Sequence, residues 1–213
     1  MDIEAIRSGK IQALAGADLE DEILSKAQLE KANLSGANLV GVDLSHANLQ
    51  SAHLDGANLL GGNLVLADIR GSLVGVNLTQ GNLEGADLRG SNLRGANLMG
   101  ANLSRASLAG AFLSGATLSD TNLQGVDLRS SDLRGVNFRG ANLKGANLSD
   151  AQLQGADLGD ANLEEADLRG ANLAGANLEG TNLLCAELER ANLKGVHLEN
   201  TCLVGTQAEI THQ

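Results

Sequence analysis

The side chains that could carry acid–base, nucleophilic or metal chemistry are few and scattered along this sequence. No carboxylate or thiolate stands at metal-ligand spacing from the histidines His46, His53, His197 and His212. Cys185 and Cys202 fall at different positions of the five-residue repeat described below. We expect them to lie too far apart for a disulfide. No nucleophile, general base and oxyanion hole can be assembled from such residues. We therefore expect no enzymatic activity, no metal and no cofactor.

The composition excludes an ordinary globular core. Aromatic residues make up 1% of the chain, which is far too few for such a core. The net charge of −11 disfavours direct binding of nucleic acid. Residues 1–4 contain no basic region followed by an apolar run, and no stretch approaches a membrane span. We expect a soluble, cytoplasmic protein without a signal peptide, and two unpaired thiols favour the same reducing compartment.

A repeat of five residues organises almost the whole chain. Leucine or isoleucine recurs at every fifth position from Leu14 to Ile69, and the series resumes from Leu73 to Leu203 with only Phe138 departing from leucine. The position two residues before each leucine is almost always small, and the position between them is polar. A five-residue spacing drifts around a 3.6-residue helical turn, whereas the order inward, outward, inward fits a short strand. So short a period is the signature of a solenoid.

Glycine positions predict the number of sides in one coil. The second residue after the leucine is glycine in every fourth repeat, without exception: Gly16, Gly36, Gly56, Gly75, Gly95, Gly115, Gly135, Gly155, Gly175 and Gly195. This regularity favours a four-sided coil of twenty residues, one corner of which needs a positive φ. Each leucine then stacks on a leucine of the next coil at about 4.8 Å, so about ten coils make a rod on the order of 45 Å long.

The repeat resembles that of the pentapeptide-repeat family, whose pattern is a small residue, Asp or Asn, Leu or Phe, and two variable residues often ending in glycine. The segment Ala141-Asn142-Leu143-Lys144-Gly145 shows it, and the match covers residues 12–205. The resemblance implies an all-β, right-handed quadrilateral β-helix solenoid. It also implies a binding protein rather than an enzyme, similar to the long leucine-centred members abundant in cyanobacteria.

The two ends of the chain depart from the repeat. Residues 1–11 predict a short capping helix, with Asp2 as its N-cap and Gly9 as its stop, that covers the first coil. Residues 206–213 form a short C-terminal tail, and we do not expect it to cover the last coil as the helix covers the first. An open last coil allows either a monomer or an end-to-end dimer.

Apolar residues gather at outward positions around the single irregularity of the repeat. Between Ile69 and Leu73 the spacing falls from five residues to four. The outward apolar residues near it are Val40, Leu60, Val65, Leu66, Val74 and Met99. They predict a surface for a protein partner. The alternative is that these side chains only cover one another where the coil is one residue shorter. Phe112, another outward residue, is either an isolated ring or a second contact point.

Polar residues at the outward positions predict the hydrogen bonds and charges on the surface of the rod. Asparagines recur on one side, from Asn63 through Asn102 to Asn182, and are expected to form a hydrogen-bonded ladder. Another side carries outward Asp–Arg pairs, Asp87 with Arg89 among them. Net charge is −7 over residues 1–87, +4 over 88–145 and −8 over 146–213. The middle segment defines a basic waist, made of Arg89, Arg94, Arg105, Arg129, Arg134, Arg139 and Lys144. It offers a docking surface for an acidic protein.

Three functions are compatible with a rod of this kind. The first is a non-enzymatic, regulatory scaffold for an as yet unidentified protein partner. The second is a DNA mimic that binds gyrase, as the resemblance to quinolone-resistance pentapeptide proteins implies. Those relatives favour phenylalanine at the central position, which this chain has only at Phe138. The third, an acyltransferase on a β-helix, is disfavoured because such enzymes use an Ile-centred repeat of about six residues and a loop histidine.

Overall fold

The computed structural model describes residues 1–206 and begins with a short helix, α1, over Ile3–Arg7. Asp2 is the N-cap, and its Oδ1 accepts a hydrogen bond from the Ala5 N–H at 3.0 Å. Gly9, with φ of 75°, follows the helix in the left-handed conformation. Ile6 is fully buried against the leucines of the first coil, so α1 closes this end of the core.

Beyond α1, the described chain forms isolated parallel bridges instead of extended strands. Each bridge joins a residue to the equivalent residue one coil later, from Ala13 with Asn33 to Asn182 with Cys202. The offset of twenty residues makes each coil four repeats long, as the glycine positions predict. The chain therefore winds as a four-sided β-helix of about ten coils. The right-handed sense of the winding stays a prediction from the family resemblance.

The four sides are named here by the columns of bridged residues that run along the rod. Side one contains Asn92 and Phe112, side two Asn97 and Thr117, side three Asn102 and Asn122, and side four Ser107 and Asp127. Each corner takes the number of the side that precedes it in the chain. Sides one and three therefore face opposite directions, as do sides two and four.

The core is a column of leucines with small residues beside it. The central leucines, such as Leu103 and Leu123, are 0% exposed, as is Phe138. Each buried leucine contributes roughly 1.5 to 3 kcal/mol of gross stabilisation, and neighbouring coils share it. Some of the small inward positions hold hydroxyl residues. These are satisfied by backbone carbonyls: Thr121 donates to Leu98 O at 2.9 Å, and Ser131 donates to Leu128 O at 2.6 Å.

All four corners use the same left-handed conformation, which differs from the prediction that one corner alone needs it. Every full-length corner closes with a turn in which, for example, the Ala17 N–H donates to Leu14 O at 3.0 Å. The residue before that donor has a positive φ whether or not it is glycine. Within residues 1–206, sixteen residues other than glycine adopt it, Leu66 and Gln80 among them. A side chain there costs roughly 1 to 2 kcal/mol, so glycine is favoured at the corners but not obligatory.

The preference for Asn or Asp between the two inward positions has a local cause. Its side-chain oxygen accepts a hydrogen bond from the backbone N–H two residues on, as Asn102 Oδ1 does from Ser104 N at 3.2 Å. The amide nitrogen of such an asparagine donates to the asparagine one coil earlier in the column, as Asn122 Nδ2 does to Asn102 Oδ1 at 3.0 Å. The ladder predicted from the sequence is hydrogen-bonded along side three from Asn82 to Asn182. Asn63, where the prediction starts it, donates instead to Asp43 Oδ1 at 3.0 Å.

The shortened repeat lacks its left-handed corner residue. The bridge from Asp68 to Asp87 and the three before it have an offset of nineteen residues, and the regular offset returns with Ser72 and Asn92. Gly71 takes the small inward position directly after Arg70, and an added Cβ there would lie 2.4 Å from Ala52 O. The irregularity is therefore confined to corner four, and the register of the other columns is kept.

The two ends of the rod differ. In contrast to the closed first coil, the last described coil leaves Leu193, Leu198 and Leu203 only partly buried. Thr206 is the last described residue, so the remainder of the predicted tail, residues 207–213, lies outside the described part of the chain.

Candidate partner-binding surface

The six outward apolar residues predicted as a partner surface lie on three different corners. Val40, Leu60 and Met99 stack along corner two, with Thr79 between Leu60 and Met99. Val65 and Leu66 form corner three. Val74 lies alone on corner one. The prediction of a single cluster is therefore replaced by a surface around side three, which corners two and three border, and by one separate residue.

This side-three surface, defined by Val40, Leu60, Val65, Leu66 and Met99, is apolar at its edges and polar in its middle. Leu60 is 38% exposed, Leu66 is 55% exposed and Met99 is 44% exposed. Between the two corners runs the column of Asn63, Asn82 and Asn102. The shortened turn is at corner four, diagonally opposite corner two. The corner-two residues therefore do not merely cover the pinched part of the coil.

Two features of Leu66 are unfavourable for the stability of the fold. Its backbone is left-handed with a φ of 55°, and more than half of its side chain is exposed. The side chain leans over the next coil, where an added Cβ on Gly85 would lie 2.8 Å from Leu66 Cδ2. Together with Val65, Glu84 and Arg105, these residues line an open concavity of about 460 Å³. A glycine at this corner would relieve both disadvantages, so folding alone does not account for Leu66.

The sequence analysis missed one exposed apolar residue on side three. Ile23 occupies the outward position of side three in the first coil and is 60% exposed. An isoleucine where the repeat expects Asn or Asp was the available signal. It places an apolar side chain in the central column of side three, near the capped end of the rod.

Aspartates and arginines of side four form forked ion pairs within single repeats. Asp127 shows the geometry: Arg129 Nε donates to Oδ1 at 2.9 Å, Arg129 Nη2 donates to Oδ2 at 2.8 Å, and the Arg129 backbone N–H also donates to Oδ1. The predicted pairs of Asp87 with Arg89 and Asp167 with Arg169 match it. Two pairs were missed, Asp68 with Arg70 and, on side one, Asp132 with Arg134. An Asp followed two residues later by Arg was the signal for both.

These forks shift the titration of both partners. Hydrogen bonds from Arg129 hold the pKa of Asp127 below its ordinary value, and Asp127 raises the pKa of Arg129 in return. The pKa values of the other four forked aspartates are lowered for the same first reason, the side-chain hydrogen bonds from arginine.

Ion pairs, three of them forked and three of them single, neutralise most of the basic waist. Arg139 pairs with Asp160 at 2.5 Å, Lys144 with Glu164 at 2.8 Å and Arg105 with Glu84 at 3.7 Å. Within residues 1–206, Arg94 is the one waist cation with no carboxylate at ion-pair distance. The waist is therefore not a continuous surface of free positive charge.

Within the described residues, no group of three or more His, Cys, Asp or Glu side chains is arranged to hold a metal ion. Cys185 and Cys202 are both free thiols. No helix in this part of the chain has the length and apolarity needed to cross a bilayer.

Comparison with known proteins agrees with this geometry. The family model for pentapeptide repeats matches successive segments of the chain over 14–50, 37–74, 72–106, 96–135, 131–170 and 171–206. The chain belongs to the pentapeptide-repeat family. The family's β-helix, with its inward leucine and its polar residue facing out, is the fold described above.

Solved structures of other pentapeptide-repeat proteins are similar to this chain. HetL from the cyanobacterium Nostoc sp. strain PCC 7120, a protein involved in heterocyst differentiation regulation, is 38% identical. That match covers 91% of this chain and 84% of HetL, with a TM-score of 0.42. A trypsin-treated variant of QnrB1, a plasmid-mediated fluoroquinolone resistance protein, is 21% identical over 89% of this chain and 86% of its own, with a TM-score of 0.54. No curated protein matches.

The aspartate forks predict how the stability of this pentapeptide-repeat protein depends on pH. A folded-state pKa below the unfolded value of about 3.9 stabilises the fold above that pH, and the stabilisation is lost as pH falls through the lowered pKa. Asp127→Asn keeps the acceptor for the Arg129 backbone N–H and removes the charge. We expect wild type to be more stable than Asp127→Asn near neutral pH, and the difference to vanish below the folded pKa of Asp127. Urea unfolding across this range measures it; a difference that does not change with pH contradicts the proposed fork energetics.

Proposed function

We propose that this pentapeptide-repeat protein is a non-enzymatic, regulatory scaffold that binds a protein partner through its side-three surface. The observation that supports the proposal most is Leu66, an exposed leucine held in the left-handed conformation above Gly85. Strained or exposed residues that the fold does not need are concentrated at functional sites. The regulatory part of the proposal draws on the similarity to HetL, which is described as involved in heterocyst differentiation regulation. The cytoplasm is the proposed compartment.

The chemistry of the side-three surface suits a protein partner. Large apolar side chains at the borders can enter pockets of the partner, and removal of such an anchor typically costs about 2 kcal/mol or more of binding. The asparagine column between them supplies amide groups for polar contacts at a fixed spacing of about 4.8 Å along the rod. An apolar border around a flat amide surface is consistent with a non-obligate interface.

Substitution on the two borders tests the proposal. The partner is first isolated by affinity purification from the native cell, and its affinity for purified variants is then measured by calorimetry. We expect Leu60→Asp to weaken binding by roughly thirty-fold or more, since an apolar anchor is lost and a charge is introduced. Gln50→Asp is the matched control, because Gln50 is exposed but lies on corner four, diagonally opposite Leu60. Equal losses for the two variants, or no loss for Leu60→Asp, would refute the side-three interface.

Leu66→Gly separates binding from folding. Glycine relieves the left-handed strain, so we expect the free energy of unfolding to rise by about 1 kcal/mol while binding of the partner weakens. A variant that is more stable yet binds the partner as well as wild type would remove Leu66 from the interface.

The alternative of a DNA-mimicking gyrase binder has less support. The acidic column of side four is interrupted by neutral residues, and Asp68, Asp87, Asp127 and Asp167 are each neutralised by an arginine. The likeness to QnrB1, at 21% identity, shows the fold alone. A supercoiling assay with purified gyrase tests the alternative directly: inhibition or protection of the enzyme would favour it over the scaffold.

A further inference from the structure

A second exposed feature lies on side one, opposite the side-three surface. Phe112 occupies an outward position there and is 41% exposed. The guanidinium carbon of Arg94 lies 4.7 Å from the centre of the Phe112 ring. Arg94 belongs to corner one in the preceding coil, so its side chain reaches along the rod to the ring. A guanidinium at this distance over an aromatic face is held in place by cation–π attraction.

Stacking leaves the hydrogen-bonding edge of Arg94 available. Arg94 Nη1 makes one long contact of 3.4 Å with Asn92 Oδ1. The nearby carboxylate of Asp132 is already engaged through both oxygens by Arg134. Arg94 therefore differs from the other cations of the waist, which each have a carboxylate partner within the described chain. A planar guanidinium with a free edge is suited to bidentate binding of a carboxylate.

This pair has one apolar neighbour and is accessible to a partner. Val74 precedes Arg94 on corner one and is 39% exposed. Beside it, an added Cβ on Gly75, Gly95 or Gly115 would meet no atom within 4 Å. A partner chain can thus approach the backbone of this corner closely. The patch formed by Val74, Arg94 and Phe112 offers one cation between two apolar contacts.

We propose that the patch of Val74, Arg94 and Phe112 binds an acidic peptide segment that also carries an aromatic or aliphatic side chain. A carboxylate of the segment pairs with the free edge of Arg94, and the apolar side chain packs on Phe112 and Val74. Arginine and aromatic residues are enriched among the few residues that dominate interface energies. The waist is the one segment of positive net charge in this acidic chain, so it is where an acidic segment meets the least repulsion.

The test uses the full-length protein and a short fluorescein-labelled peptide composed of Asp, Glu, Leu and Phe. Fluorescence anisotropy at moderate salt measures its affinity for wild type and variants. We expect Arg94→Ala and Phe112→Ala each to weaken binding by about ten-fold or more. Arg129→Ala is the matched control, because it removes an exposed waist arginine that is already paired with Asp127. It should leave the affinity unchanged.

Further controls distinguish a specific site from general attraction between opposite charges. A matched peptide with lysine in place of each acid should not bind, and Gln124→Asp, at an exposed position of corner three, should not affect the acidic peptide. The proposal is overturned if the acidic peptide does not bind wild type, or if Arg129→Ala weakens binding as much as Arg94→Ala. It is also overturned if inorganic pyrophosphate or a DNA duplex competes at lower concentration than the unlabelled peptide. None of these outcomes bears on the side-three interface, whose test uses a different partner and different variants.

Discussion

Replacing Gly71 with alanine will lower the free energy of unfolding by about 3 kcal/mol, since the new methyl group overlaps the backbone of the preceding coil. An added Cβ at Gly71 would lie 2.4 Å from Ala52 O and 3.1 Å from Ala52 N. Neither atom can move without breaking a backbone hydrogen bond, because Ala52 O accepts from Ser72 N at 3.0 Å and Ala52 N donates to Leu49 O at 2.9 Å. The cost comes from this close approach, because Gly71 is not among the residues with a positive φ. Chemical denaturation of the purified variant measures it.

The matched controls are Gly62→Ala and Gly81→Ala. Both glycines occupy the small inward position that holds alanine in most repeats, and their added Cβ atoms would meet Leu59 O at 3.2 Å and Leu78 O at 3.1 Å. We expect these variants to be unchanged or stabilised by about 0.4 to 1 kcal/mol through the loss of unfolded-state freedom. If Gly71→Ala were as stable as Gly62→Ala, the close packing of the shortened repeat would be wrong.

Substitution of a central leucine will destabilise the fold more than substitution of any outward residue. Leu123 is 0% exposed and lies between leucines of the coils on either side. Leu123→Ala should cost about 2 to 5 kcal/mol, because a rod held by backbone bridges on every side cannot collapse into the cavity. Leu123→Asp should cost more, since it buries a carboxylate without a partner.

Gln124→Asp is the control for that substitution, because it adds the same charge one residue further along at an exposed corner. We expect it to stay within about 0.5 kcal/mol of wild type. Circular dichroism and denaturation compare the three variants. If Leu123→Asp and Gln124→Asp were equally tolerated, leucines five residues apart would not all face inward.

The sequence predicts the fold of this protein unusually well because inward and outward positions repeat without interruption. Leucine spacing indicates which residues are buried, and the glycines of corner one indicate the coil length. The same glycines led to a wrong expectation about the other corners. Residues such as Leu66 and Gln80 adopt the left-handed conformation there at a modest cost, so composition alone does not reveal it.

The partner surface was harder to predict for a different reason. Val40 and Met99 lie far apart in sequence but on one corner, whereas Val74 lies close to Leu66 in sequence but on another corner. Grouping these residues by their nearness in sequence therefore mixed three corners. Counting by coils, with the one-residue deletion included, would have separated them. The stacking of Arg94 on Phe112 depends on side-chain direction between coils, for which the repeat pattern carries no signal.

The most direct test of the coiled arrangement is an NMR spectrum that records contacts between backbone amide protons. Amide contacts should connect equivalent residues twenty positions apart, for example from Asn102 to Asn122, as the bridges require. Across the shortened repeat the offset should fall to nineteen, as between Asn63 and Asn82. An unbroken run of contacts between successive amide protons through the middle of the chain, with none at offsets of nineteen or twenty, would indicate helices instead and would contradict the stacked leucine core.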